Sequence, residues 1–435
     1  MKKILYNINK RFPHGSFFRN VAILASGTAM AQALSLCISP ILTRIYPVES
    51  FGRLQVYIAA LTFTLNSISL RYEVAILLPE DELDGAGVLT LSLSVVVMMT
   101  AVWGVVFGFL WLIGRVPQQL SGIGFYLLCL PFAVLATGLN QSLCIWALRK
   151  NRYQDVGTAK ITQIFGQVMT QLVMGVATST RGGLIVGDLV GRFAANFSLV
   201  RRTYQEIIIN FNSITISKLY NLANKYRRFP LIATPAALIE TAGTTIPLLL
   251  IGDLYGARTL GWLALTNQVL SVPVTLLGQA ISQAYMAEAS SLAQSSPVKM
   301  RSLFLKTIQR LAIIGVVPAL VLAVFGPLLF SFVFGTSWRP SGEFARLLAV
   351  MNLTSLVAWP LIPTLDLLER QSWHLFWVVS RMGFVITSLL FCSHFHWGAK
   401  ATIFVYGSVL AICYMIHLGL SFLAIQMRVA NLSRA

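Results

Sequence analysis

Apolar stretches of about 20 residues recur along the entire chain, and each is long enough to cross roughly 30 Å of hydrocarbon as a helix. A sequence of 435 residues built this way has few ways to fold. In lipid every backbone N–H and C=O must be satisfied internally, which leaves helices or closed barrels. A barrel would show alternating segments of about ten residues. The Leu-, Val-, Ala- and Gly-rich runs here do not alternate. Only 11% of the residues are charged and 56% are hydrophobic, with a mean hydropathy of +0.73; soluble chains carry about 25% charged residues. The expected fold is an all-α polytopic membrane protein.

Twelve spans are predicted, at 20–43, 53–78, 84–113, 121–147, 155–178, 183–201, 229–252, 259–285, 306–332, 343–368, 373–394 and 399–425. The basic segment 1–19 followed by an apolar run resembles a signal peptide, but the run is too long for one. The expected organisation is a cytoplasmic N-terminal segment 1–19, a six-helix half 20–201, a cytoplasmic linker 202–228, a second six-helix half 229–425 and a cytoplasmic tail 426–435.

The net charge of +18 has a plainer explanation than nucleic acid, for which no partner role is expected. With the N-terminus inside, the cytoplasmic segments collect Lys2, Lys3, Lys10 and Arg11, then Arg149, Lys150 and Arg152, then Lys218, Lys225, Arg227 and Arg228. The outer segments hold scattered residues such as Arg44, Arg53, Arg115, Arg181, Arg258 and Lys400. That asymmetry follows the positive-inside rule and places both termini in the cytoplasm. The basic loops should also attract anionic membrane lipids.

The two halves carry a trace of duplication. IYPVESFGRL (Ile45 to Leu54) aligns with LYGARTLGWL (Leu254 to Leu263), pairing Tyr46 with Tyr255, Gly52 with Gly261 and Leu54 with Leu263 at one offset. With an even number of spans per half, the repeat is parallel, an arrangement associated with transporters. Signals for other chemistry are missing. Cys37, Cys129, Cys144, Cys392 and Cys413 all fall inside spans without metal-ligand spacing, so neither a disulfide framework nor a metal site is expected. His394 and His396 lie at an outer end, His14, His374 and His417 are scattered along the sequence, and no nucleotide-binding loop or catalytic triad is visible, so the chain is not expected to be an enzyme or to need a cofactor.

Two stretches carry a family resemblance. LTRIYPVESFGRLQVY (Leu42 to Tyr57) with RYEVAILLPEDELDGA (Arg71 to Ala86), and RRFPLIATPAALIE (Arg227 to Glu240) with GDLYGARTLGWLALTNQVLSVPVTLLGQAISQAY (Gly252 to Tyr285), resemble the polysaccharide-transporter branch of the multidrug/oligosaccharidyl-lipid/polysaccharide exporter superfamily. The resemblance implies two six-helix halves around a central cavity faced by the first two helices of each half. It implies a substrate, polyprenyl-pyrophosphate-linked oligosaccharide such as an O-antigen or exopolysaccharide repeat unit, moved from the cytoplasmic to the outer leaflet of the bacterial plasma membrane by alternating access. A polysaccharide polymerase and a chain-length regulator are candidate partners. Two rivals remain: a drug/cation antiporter of the same superfamily, although Asn20 to Thr43 lacks the acidic residue of one drug-exporting branch, and a membrane-embedded oligosaccharide polymerase, although the outer loops are short.

Ionisable side chains inside spans are costly and each needs an explanation. Glu240, near the middle of the seventh span, reads either as a carboxyl that binds a coupling proton or cation or as one hydrogen-bonded to a neighbouring helix. Arg71, at the cytoplasmic end of the second span, reads as a bidentate grip on pyrophosphate or as a snorkelling arginine paired with Glu73. Arg192 follows Asp188 by one helical turn and is expected to pair with it. Arg381 has no acidic neighbour on its own helix; Asp366 and Glu369 of the tenth span are candidate partners, and a place in the cavity is the alternative. Gln32, Asn66, Gln268, Gln279 and Gln283 lie on the helices the resemblance assigns to the cavity, where they could bind sugar or join helices. The acidic run Glu80, Asp81, Glu82 and Asp84 reads as a solvated loop.

Overall fold

The computed structural model describes residues 17–113, 124–177, 182–212 and 214–432, and these are helical with short connections. The N-terminal basic segment before Phe17, with Arg115, Arg181 and Arg434, lies outside them. The chain divides into two compact units, Met1–Thr245 and Ile246–Ala435.

In the first unit, α1 (Phe17–Ile45) and α2 (Val48–Ile68) meet at Pro47, whose ring removes an amide donor and disfavours helix in the residue before it. The predicted span 53–78 is not continuous. It breaks at Leu70 and Arg71, two successive residues with φ of 48° and 62°, before a single turn, α3 (Tyr72–Ala75). The helix α4 (Glu82–Leu112) starts where the Asp81 carboxylate accepts from the Asp84 amide at 3.3 Å, and its acidic first turn suits the positive end of the helix dipole. A 3-10 turn (Gly124–Cys129) leads into α5 (Leu130–Arg149), followed by α6 (Tyr153–Ala177) and α7 (Gly183–Asn212). The expected linker is largely helical: α7 runs into it, and α8 (Ile216–Lys225) lays Leu222 against Gly87 of α4.

Backbone proximity in this unit depends on small residues. Gly183, Gly187 and Gly191 recur every fourth position on α7; Gly183 meets Tyr46 and Met174, and Gly187 and Gly191 face the glutamines Gln163, Gln167 and Gln171 of α6. A Cβ on Gly187 would stand 2.9 Å from the Gln167 carbonyl, and one on Gly191 2.5 Å from the Gln163 carbonyl. Such small-residue stripes let helices approach closely in lipid, where hydrophobicity does not drive them together.

The second unit contains most of α9 (Thr234–Ser295), which is interrupted at Gly256. It continues through α10 (Pro297–Phe334), α11 (Arg339–Leu347), α12 (Ala349–Ala358), a 3-10 turn at Trp359–Leu361, the single turn α13 (Thr364–Leu367), α14 (Gln371–His394) and α15 (Ala399–Leu432). The predicted span 343–368 is thus several short helices. Gly326 and Gly342 bring α10 and α11 together, and Leu263, Phe344, Leu348 and Leu389 form a buried cluster.

The outer surfaces are strongly apolar. Phe332 is 85% exposed, Leu112 77% and Val176 76%, which suits hydrocarbon and not water as the solvent. Among the described residues nine helices are long and apolar enough to cross a membrane. Polar side chains such as Asn66 in α2 and Gln163, Gln167 and Gln171 in α6 keep those two helices out of that set, and α9 supplies two stretches about Gly256. The helix count is consistent with about twelve.

The ends of two helices close alike, as does the end of α14, where the Trp397 amide donates to the Cys392 carbonyl at 2.9 Å with His396 left-handed. After α5, the Arg152 amide donates to the Ala147 carbonyl at 2.8 Å with Asn151 left-handed; after α13, the Arg370 amide donates to the Leu365 carbonyl at 2.8 Å with Glu369 left-handed. Both are the six-to-one closure of a Schellman motif, each followed by arginine.

Candidate functional site

In the first unit, the Asn66 amide donates to the Thr241 hydroxyl at 2.6 Å and ties α2 to the start of α9. Glu240 is the next residue along; its side chain is exposed and has no ion pair among the described residues. The neighbouring-helix hydrogen bond considered for it falls instead to Thr241.

Arg71 sits at the break after α2, where its guanidinium lies 3.7 Å from the Glu73 carboxylate. Glu73 is buried and accepts from the Ser69 hydroxyl. The pairing half of the expectation for Arg71 therefore holds. The contact is beyond hydrogen-bonding range, and Arg71 donates no hydrogen bond among the described residues, so its donors remain available.

Around it the acidic run is more than a solvated loop. Arg149 donates to the Ile76 and Asp81 carbonyls at 2.9 and 3.1 Å, Lys150 pairs with Glu82 at 2.6 Å, and Lys218 of α8 pairs with Asp84 at 2.9 Å. These contacts hold the segment between α3 and α4 in place. Arg192 grips Asp188 as expected, with nitrogen–oxygen distances of 2.6 and 3.1 Å, and also donates to Thr137 at 2.8 Å.

One cation escaped the sequence reading. Lys160, two turns into α6, donates to the Thr28 hydroxyl of α1 at 2.7 Å, one turn from half-buried Gln32. The pattern Lys160, Gln163, Gln167, Gln171 is a polar stripe at helical spacing and was the available signal.

In the second unit Gln268 is half-buried and Gln279 exposed on α9. Arg381 does not meet Asp366 or Glu369. Its guanidinium lies over the Trp377 ring, 4.7 Å from the centroid, while Asp366 contacts His374 at 3.3 Å. A cation on an indole face needs no carboxylate.

Residues 41–343 match the family described as "Polysaccharide biosynthesis protein". The chain belongs to that family. It falls in the polysaccharide-transporter branch of the exporter superfamily named above. No curated protein matches. Among solved structures the family member is similar to an inward-facing multidrug resistance MATE family transporter of the MOP superfamily, with a TM-score of 0.72 and 11% identity over 93% of this chain and 96% of that one. It is similar to the lipid II flippase MurJ in an inward closed conformation, with a TM-score of 0.66 and 9% identity over 93% and 90%. It also resembles a MOP superfamily transporter from Pyrococcus furiosus, with a TM-score of 0.58 and 10% identity over 96% and 97%. At these identities the likeness concerns the fold, and the family member is a multi-pass membrane protein with a transporter fold.

Proposed function

We propose that this polysaccharide biosynthesis protein is a flippase that moves a polyprenyl-pyrophosphate-linked oligosaccharide, an O-antigen or exopolysaccharide repeat unit, from the cytoplasmic to the outer leaflet of the bacterial plasma membrane. The observation that carries this reading is the family match over residues 41–343. The physical task fits the residues. A polar head must be sheltered while its lipid tail stays in the bilayer, which calls for cations and hydrogen-bonding groups on helices and for no nucleophile.

In this reading Arg71, with donors left free by a long contact to Glu73, receives the pyrophosphate. Asn66, Gln32, Gln268 and Gln279 bind sugar hydroxyls, Arg381 adds positive potential, and Glu240 carries the coupling proton or cation. The six-helix halves 20–201 and 229–425, joined by the linker 202–228, rock about the substrate with both termini in the cytoplasm. A polymerase and a chain-length regulator receive the product.

The test is reconstitution into liposomes with a short polyprenyl-pyrophosphate-linked oligosaccharide, following its movement between leaflets with and without a pH gradient. Transbilayer movement above protein-free vesicles supports the flippase. Export of a cationic dye without movement of the lipid-linked sugar overturns it in favour of a drug antiporter.

A further inference from the structure

Two histidines far apart in the sequence meet in the fold. His374 on α14 and His417 on α15 face each other with ring centroids 6.0 Å apart, and Trp377 packs against His417 at 4.6 Å. His417 is fully buried, and neither of its ring nitrogens has a hydrogen-bond partner; the Ser421 hydroxyl, one turn further along α15, is also buried and unpartnered. Buried polar groups are almost always satisfied, and exceptions call for a function or a small guest. Exposure falls stepwise along the cluster: 47% for the Asp366 side chain, 23% for His374, which it contacts at 3.3 Å, and none for His417.

We propose that His417 and Ser421 form a buried proton-binding site in the second unit, reached from solvent through Asp366 and His374. A proton taken up on one nitrogen of His374 releases the proton on the other, and a bridging water passes it to a His417 nitrogen; the reverse steps return it. No bond other than N–H and O–H forms or breaks. The carboxylate of Asp366, 3.3 Å away, orients the His374 ring.

The ionisable groups around the site come from the elements packed on α15, and α9 contributes Tyr285, buried in one cluster with Ala424 and Ile425. From α14 these are His374 and Arg381, the latter over Trp377, and from α13 Asp366. From α10 Arg301 lies over Phe422, next to Ser421. Glu343 of α11 is paired with Lys400 at 2.6 Å, and α12 has no ionisable side chain. Tyr414 of α15 itself packs on Trp377. The site is separate from Glu240 in sequence and in unit, and it rests on the transport reading only for what the proton is used for.

The full chain labelled with 15N-histidine in lipid vesicles, without substrate, provides the test. The sequence has five histidines, so His417→Gln identifies the resonances of interest. Between about pH 8 and about pH 3 the His417 resonances should pass from neutral to protonated imidazole. His374→Gln should move that midpoint by at least about half a pH unit. Ser421→Ala, which removes only a hydroxyl, should also move it and is the gentler variant where His417→Gln does not fold. A His417 ring that stays neutral throughout, or a midpoint indifferent to both His374→Gln and Ser421→Ala, overturns the proposal. Because no substrate is present, a titrating His417 in a protein that fails to move the lipid-linked sugar would leave the proton site standing and the flippase reading overturned.

Discussion

Tyr46 and Tyr255 close their own units in the same way. The Tyr46 hydroxyl donates to the Gln171 carbonyl at 2.6 Å, near the end of α6. The Tyr255 hydroxyl donates to the Trp397 carbonyl at 2.9 Å, in the connection between α14 and α15, and also contacts the Thr402 hydroxyl at 2.6 Å. Each tyrosine thus ties a turn of its own unit to the last helical hairpin. Replacing either by phenylalanine removes the hydroxyl and should cost about 1 kcal/mol. Thermal unfolding in detergent would show it, and a wild-type midpoint for both variants would contradict the assigned role.

The glycine stripe of α7 leaves no room for side chains. Gly187→Leu and Gly191→Leu should force α6 and α7 apart at a cost of about 1–3 kcal/mol or more, seen as a loss of monodisperse protein. Gly383→Ala, where a new Cβ meets nothing within 4 Å, serves as the matched control and should stay within about 0.5 kcal/mol of wild type.

Arg192→Ala strands Asp188, which is buried, without its counter-charge. The expected cost is about 3–5 kcal/mol, measured as a lowered unfolding midpoint. Pairing Asp188→Asn with Arg192→Gln removes both charges and should recover much of that loss. Equal instability in the single and double variants would mean that the charge is not the issue.

Arg71 offers a way to separate backbone from guanidinium. Its φ of 62° is left-handed, a conformation that costs a residue with a Cβ about 1 kcal/mol or more and glycine nothing. Arg71→Gly should therefore be more stable than Arg71→Ala, while both lose transport of the pyrophosphate-linked substrate. Transport retained in the glycine variant would reduce Arg71 to a backbone element paired with Glu73.

Glu240 is exposed and has no ion pair among the described residues, so Glu240→Gln should fold at wild-type yield. In liposomes it should lose the response of transport to a pH gradient. A variant that keeps that response removes Glu240 from the coupling step and leaves the coupling to another group.

Hydrophobicity made the all-helical, multi-span plan legible because apolar length is itself the physical requirement of a bilayer. Local pairings were legible when both partners lie one turn apart, as for Asp188 and Arg192. The partner of Arg381 also lies one turn away, but it is the Trp377 ring, and a search for carboxylates passes over an aromatic face. The break at Leu70 and Arg71 carries no glycine or proline to announce it. His374 and His417 meet only through the packing of α14 on α15, a contact between distant residues that spacing along one helix cannot reveal.

Gly256, with φ of 84° and ψ of 166°, holds a backbone conformation essentially reserved for glycine. Without that interruption the 62 residues from Thr234 to Ser295 would run on as one long rod, bent only at Pro247 and Pro273. At 1.5 Å per residue such a rod would reach about 90 Å, three times the thickness of the hydrocarbon it has to cross. A side chain at this one position would therefore act on insertion before it acted on transport: it would favour a single overlong segment where the membrane requires two.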